Sequence, residues 1–286
     1  MIRRREGGMI MTKYFKIFSC LLVIAVLGVP FNSAVAEENN IDDIKFLQKN
    51  WMPKLLKIIE DGPVLFSRDE VFNVAPPPKN SSKETQAELA ELHKFAEEER
   101  TDETVQRILY ENTGVSAHAM FVKENLIDKE NYQTLALMEM IDNDNIYFIL
   151  ERKKHFARPR PSEIDPTLTT VIDNPPHAAY PSGHATQTYI NALVLADFDP
   201  ENAEVYKQFA IDIAHRREIA GVHYTSDSVA GRKLAADVLA RLRAIKVFEK
   251  KYQRAKESYI KPDLSKRQKK FEYDPDKDGP KKSGSY

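Results

Sequence analysis

The sequence predicts an all-α fold organised as a single domain, and three observations predict it. Apolar residues recur at three- and four-residue steps through most of the stretch that begins at Ser82. The period-two alternation of strands is nearly absent, and no internal repeat is visible. The chain has 286 residues, 42% hydrophobic and 30% charged, ample for one well-buried core. That composition also argues against a disordered chain and against a multi-span membrane protein. With 42 basic and 43 acidic residues the net charge is -1, so no excess of positive charge draws the chain to nucleic acid.

The elements follow in order. Arg3, Arg4, Arg5, Lys13 and Lys16 precede an apolar run from Ile17 to Val29, and Ala34-Val35-Ala36 follows. A basic head, a short apolar middle and small residues at an A-x-A end describe a secretory signal peptide over residues 1–36. The run falls short of the ~20 residues that span a bilayer. Cleavage after Ala36 leaves 37 basic and 42 acidic residues and removes Cys20, the one cysteine. The expected product is periplasmic or secreted, free of disulfides, and not inserted in a membrane.

Residues 37–75 read as an N-terminal helical extension, with Trp51, Leu55, Ile58 and Ile59 at helical spacing. Ala75-Pro76-Pro77-Pro78 is extended and reads as a spacer. Helices are expected from Ser82 through Leu89, Leu92 and Phe95, and over 102–112. Residues 130–157 form one helix or two, ending near Arg158 because Pro159 and Pro161 cannot continue it. Residues 162–180 read as a long loop, a kind of segment that often carries function. Helices over 184–197, 202–220 and 226–249 complete the domain, taken as 76–258. Residues 259–286 read as a polar, disordered tail.

Three short blocks carry chemistry. The first is Lys153, six residues, then Arg160-Pro161. The second is Pro181-Ser182-Gly183-His184. The third is Arg217, five residues, His223, three residues, Asp227. The second block opens an apolar helix, so its free backbone N–H groups and the positive end of the helix dipole make an anion cradle. Alone it reads equally as an ordinary cap with Ser182 as the N-cap. In the third block Arg217 falls near the buried stripe of its helix, where a guanidinium needs an anionic partner. Asp227 lies one turn beyond His223, placed either to accept the imidazole Nδ1–H or to cap its own helix. Lys153 and Arg160, taken singly, read as a solvated helix end. Ten specified residues at fixed spacing arise by chance on the order of once in a million, so the conjunction decides. Three cations, an anion cradle, two histidines and a carboxylate fit phosphoryl transfer.

These blocks resemble the three-part signature of the type 2 phosphatidic acid phosphatase superfamily, which includes vanadium haloperoxidases. The match is to the class A bacterial non-specific acid phosphatases, over roughly residues 70–250. The proline run and Ala192-Leu193-Val194-Leu195-Ala196 extend the likeness. The resemblance implies a helical bundle of the acid phosphatase/vanadium haloperoxidase type. It implies that Lys153, Arg160, Ser182, Gly183 and Arg217 hold phosphate oxygens. It further implies that His223 becomes a phosphohistidine, Asp227 orients it, and His184 protonates the leaving alcohol. No metal or cofactor is implied, and the partners are small phosphorylated substrates; a homo-oligomer stays open. A lipid phosphate or pyrophosphate phosphatase, and a vanadate-dependent haloperoxidase, are the alternatives. One departure stands out: the family's Ser before Arg217 is Arg216 here, an extra cation near the pocket. His177 reads as a solvated loop histidine, His215 as facing another side of its helix, and His93, His118 and His155 as surface or core residues.

Overall fold

A computed structural model describes residues 40–267 and 271–274. The expected signal peptide lies outside these residues. Among them the regular elements are all helical, as the spacing predicts. In order they are α1 (Pro53–Asp61), α2 (Lys83–Glu98), α3 (Asp102–Glu111), α4 (Ala117–Lys123), α5 (Tyr132–Phe156), α6 (Pro161–Ile164), α7 (Gly183–Phe198), α8 (Ala203–Ile219), α9 (Thr225–Arg243) and α10 (Lys246–Glu257). Short 3-10 turns link some of them. None of the described helices is long and apolar enough to cross a membrane.

Local chemistry sets most boundaries. The side chains of Ser82 and Thr101 accept the N–H groups of Thr85 and Thr104, capping α2 and α3. The open choice over 130–157 resolves as the single helix α5. It ends at Ala157, a left-handed residue whose N–H returns to the Lys153 carbonyl at 2.9 Å. Gly221, at φ +78°, terminates α8 close against the Thr169 carbonyl, where an added Cβ would stand 2.9 Å from that oxygen.

α7 is the central helix. Its buried positions, among them Ala185, Ile190, Ala192, Val194 and Leu195, occupy all sides, as expected of a helix enclosed by others. It packs on α8 and α9 and also touches α5 and α4. On one side Ile190 and Val194 join Leu137, Ile141 and Phe148 of α5 and Leu234, Val238 and Leu242 of α9. On the other, Ala192 and Leu195 meet Phe121 of α4 and Tyr206, Phe209 and Ile213 of α8. Gly231 sets how closely α9 approaches. A Cβ there would lie 2.7 Å from the Ser182 carbonyl, so only glycine lets the start of α9 sit beside the start of α7.

Several expectations need correction. The helix expected over 226–249 is two, because Ile245 turns extended between α9 and α10. That break returns Phe248 and Tyr252 to the main core. The short helix α4 went unforeseen, and α6 interrupts the loop expected over 162–180. Part of the presumed tail is packed rather than solvated: Phe271 is buried beside Tyr110, with the Arg107 guanidinium 4.4 Å above its ring. The proline run is extended, and Tyr180 Oη donates to the Ala75 carbonyl at 2.6 Å, tying it to the segment just before α7. Residues 46–61 pack against α5 through Trp51 and Leu55.

Candidate active site

The three blocks lie on four elements that meet at one end of the bundle: the end of α5, the turn into α6, the start of α7, and the α8–α9 junction. They surround a cavity of about 460 Å³ lined by Lys153, Gly183, His184, Arg217 and His223. Arg160, Ser182 and Asp227 lie immediately behind this wall, all three fully buried. The Asp227 carbonyl accepts the Ser182 N–H at 3.0 Å, joining the second and third blocks directly.

His223 has a defined role for each ring nitrogen. Its Nδ1 lies 2.8 Å from Asp227 Oδ2, which also accepts the Tyr224 N–H at 3.1 Å. A carboxylate there holds the proton on Nδ1, so Nε2 carries the lone pair and accepts from Arg160 Nη1 at 3.1 Å. Burial, with Arg160, Lys153 and Arg217 close by, pushes the His223 pKa well below its ordinary value. The ring is therefore neutral, with its lone pair on Nε2.

The cations differ in how they are held. Lys153 Nζ donates to the carbonyls of Ala178 and Ala179, both at 2.8 Å. Arg160 donates to the carbonyls of Val222 (2.6 Å) and His177 (2.9 Å). Arg217 makes one long contact, to Asn112 Oδ1 at 3.5 Å, and its Nε and Nη1 have no protein hydrogen-bond partner among the described residues. Burial lowers all three pKa values, Arg160 to about 9 and Arg217 to about 10, and mutual repulsion adds to it for Lys153 and Arg160. Three desolvated cations around one cavity attract a compact anion of two or more charges. The first N–H groups of α7 add neutral donors, and Ser182 Oγ caps Ala185 N.

His184 stands opposite, its Nε2 donating to the Glu111 carbonyl at 3.1 Å. Burial, then Arg217, lowers its pKa to about 3. An anion in the cavity opposes that repulsion and favours the protonated ring.

Sequence reasoning missed several residues here. Arg158 is buried and donates to Asp227 Oδ1 (2.6 Å), Ser226 Oγ (2.8 Å) and Glu88 Oε2 (3.1 Å), with its guanidinium 3.7 Å over the Tyr224 ring. Its place two residues before Arg160, in an Arg-Pro-Arg-Pro run, was a signal that could have found it. Glu88 sits on α2, and nothing in its surroundings marked it. His177 is not a solvated loop histidine. It is half-buried on the cavity wall beside Trp51 and Arg160, and burial, then Lys153 and Arg160, lower its pKa strongly. The reason is that residues 177–179 lie over Lys153 and Arg160, whose donors take their carbonyls. Arg216 does not project a free charge into the pocket: its Nε donates to Glu111 Oε1 at 2.7 Å. His215 lies away from the cavity between Glu99 and Glu218.

No family model matches the chain. It is 34% identical over 85 residues to a non-specific acid phosphatase of Providencia stuartii, covering 30% of this chain and 34% of that protein. It is 30% identical over 127 residues to a non-specific acid phosphatase of Salmonella typhimurium, covering 42% and 50%. The chain thus spans a third to a half of the length of these curated relatives. Among solved structures, a bacterial vanadium-dependent iodoperoxidase aligns with TM-score 0.49 and 19% identity, over 59% of this chain and 51% of that one. A transmembrane PAP2-type phosphatidylglycerolphosphate phosphatase from Bacillus subtilis aligns with TM-score 0.41 and 15% identity, over 69% and 93%. Over the stretches they share, the chain is similar to these bacterial non-specific acid phosphatases.

Proposed function

We propose that this protein is an exported, metal-independent acid phosphatase that hydrolyses phosphate monoesters through a phosphohistidine. The observation that carries the reading is the placement of His223: Asp227 lies 2.8 Å from Nδ1, which leaves Nε2, with Arg160 3.1 Å away, at a cavity lined by Lys153 and Arg217.

In the first step Nε2 of His223 attacks phosphorus as the ester P–O bond breaks. The electron pair leaves on the alcohol oxygen, and protonated His184 supplies the proton it needs. Lys153, Arg160, Arg217 and the α7 N–H groups take the equatorial oxygens, whose charge grows in the transition state. Arg160 Nη1, which donates to Nε2 beforehand, turns to the oxyanion. In the second step water attacks phosphorus as the P–N bond breaks, its electron pair returns to His223 Nε2, neutral His184 accepts the water's proton, and inorganic phosphate leaves. Asp227 stabilises the positive charge that His223 carries between the two steps. Acid conditions favour the reaction because His184 must enter it protonated, and its low pKa makes that proton scarce near neutrality. Export rests on the basic, apolar and A-x-A pattern of residues 1–36.

The test is hydrolysis of p-nitrophenyl phosphate and of its diester from pH 4 to 8, with and without EDTA. Monoester turnover that EDTA leaves intact is expected, and loss of turnover with EDTA overturns the metal-free mechanism. Activity confined to dispersed lipid phosphates, or halide oxidation once vanadate is added, would move the assignment to the corresponding alternative.

A further inference from the structure

Arg216 stands where the resemblance leads one to expect serine, and the geometry gives it a task. Its guanidinium and the Glu111 carboxylate form a pair that is about nine-tenths buried, with side-chain exposures of 11% and 5%. Glu111 is a wall residue of the cavity that also holds His184 and Arg217. Burial raises its pKa, and three cations around it, Arg216, Arg217 and Arg107, oppose that and favour the carboxylate. Arg107 is already committed, to Glu124 at 2.6 Å and to Glu103 at 3.1 Å. Glu111 Oε2 is buried without a hydrogen-bond partner, and so are Arg217 Nε and Nη1. Two unsatisfied groups of opposite charge thus stand in one cavity wall. A buried carboxylate seeks a guanidinium as strongly as a phosphate does.

We propose that Arg216 is a positioning residue for the phosphate site: it holds the Glu111 carboxylate and so keeps the Arg217 donors for a bound oxyanion. The inference rests on the phosphatase reading and deepens it. With Arg216 absent, Glu111 turns to Arg217, the one of its cations that is otherwise uncommitted. The carboxylate then competes with phosphate for the same donors. Arg216 touches neither substrate nor reacting atoms; it acts through Glu111.

The experiment compares wild type, Arg216→Ser, Glu111→Gln and the double variant in the full chain. Binding of inorganic phosphate is measured by calorimetry and, in parallel, as inhibition of p-nitrophenyl phosphate turnover. Arg216→Ser is expected to weaken phosphate binding and raise KM about tenfold, with kcat changed less, because a competing carboxylate acts on binding. Once Glu111 is neutral, Arg216 has nothing left to restrain. The double variant is therefore expected to bind phosphate within about twofold of Glu111→Gln. A folded Arg216→Ser protein with wild-type phosphate affinity overturns the proposal. So does a double variant about tenfold weaker than Glu111→Gln, which would mean that Arg216 acts on phosphate itself. The second comparison leaves no buried charge unpaired on Glu111, so it decides if Arg216→Ser does not fold. Calorimetry needs no turnover: a wild type that binds phosphate without hydrolysing esters refutes the phosphatase reading and leaves the Arg216 comparison legible. A wild type that binds no phosphate overturns both.

Discussion

Replacing Arg158 with methionine tests how far the candidate nucleophile depends on a residue outside the three blocks. The guanidinium is 2% exposed and lies between two carboxylates, Asp227 at 2.6 Å and Glu88 at 3.1 Å. Methionine matches its length and can keep a contact with the Tyr224 ring, but both carboxylates lose their cation. Breaking a buried ion pair from one side costs about 3–5 kcal/mol, a large share of the roughly 5–15 kcal/mol that holds a typical domain. Thermal unfolding of a domain this size falls by about 2–4 °C per kcal/mol, so a loss of roughly 6–20 °C is expected. Catalysis suffers separately. Asp227 keeps the Tyr224 N–H at 3.1 Å and the imidazole at 2.8 Å on Oδ2, but loses its anchor on Oδ1. Misplacement on the order of 1 Å costs up to about a hundredfold, so kcat falls at a temperature where the variant is still folded. Urea denaturation and steady-state kinetics read the two effects. A variant within about 1 kcal/mol of wild type and with unchanged kcat refutes the reasoning.

Three further outcomes can be checked. His223→Ala should lower turnover of p-nitrophenyl phosphate by more than about a thousandfold while the folded variant still binds inorganic phosphate; full turnover would rule out this residue as nucleophile. Sulfate, which keeps its charge across the range, should bind more tightly as pH falls from 7 to 5. Burial and Arg217 hold the His184 pKa near 3 without an anion, an anion raises it, and between those values binding takes up a proton. Calorimetry in buffers of different ionisation enthalpy should report that uptake, and none would contradict the account of His184. His215, raised to about 9 by its hydrogen bond to Glu218 and by Glu99, contributes stability that is complete below about 6.5 and lost as pH rises through about 9. His215→Ala should therefore destabilise the protein at pH 6 and hardly at all above pH 10 in urea titrations; equal effects at both would contradict the ion-pair account.

The arrangement has a physical economy. The donors of Lys153 and Arg160 are spent on the carbonyls of residues 177–179 and 222, so these cations stay in place without an anion. Arg217 keeps its donors open, and Arg216 and Glu111 neutralise each other beside it. Lys153 and Arg160 are thus anchored by backbone carbonyls, whereas two of the Arg217 donors have no protein partner among the described residues.

How much of this was legible in the sequence depended on whether the deciding interaction was local. Helical periodicity and the proline stop after Ala157 are short-range effects, and the structure follows them. Asp227 meets His223 because a carboxylate in the first turn of α9 reaches back to the residues just before the helix, taking the Tyr224 N–H and the imidazole together, a local relation that needs no tertiary contact. Neighbours far apart in the chain were silent. Glu88 reaches Arg158 across 70 residues, and Glu111 reaches Arg216 across 105. Phe271 is buried although its surroundings in the sequence are polar. Ile245 breaks the expected last helix where Phe248 and Tyr252, just beyond the turn, enter the main core. Periodicity and caps are written in neighbouring residues, whereas the partner of a buried charge is chosen by whatever the packed helices bring against it.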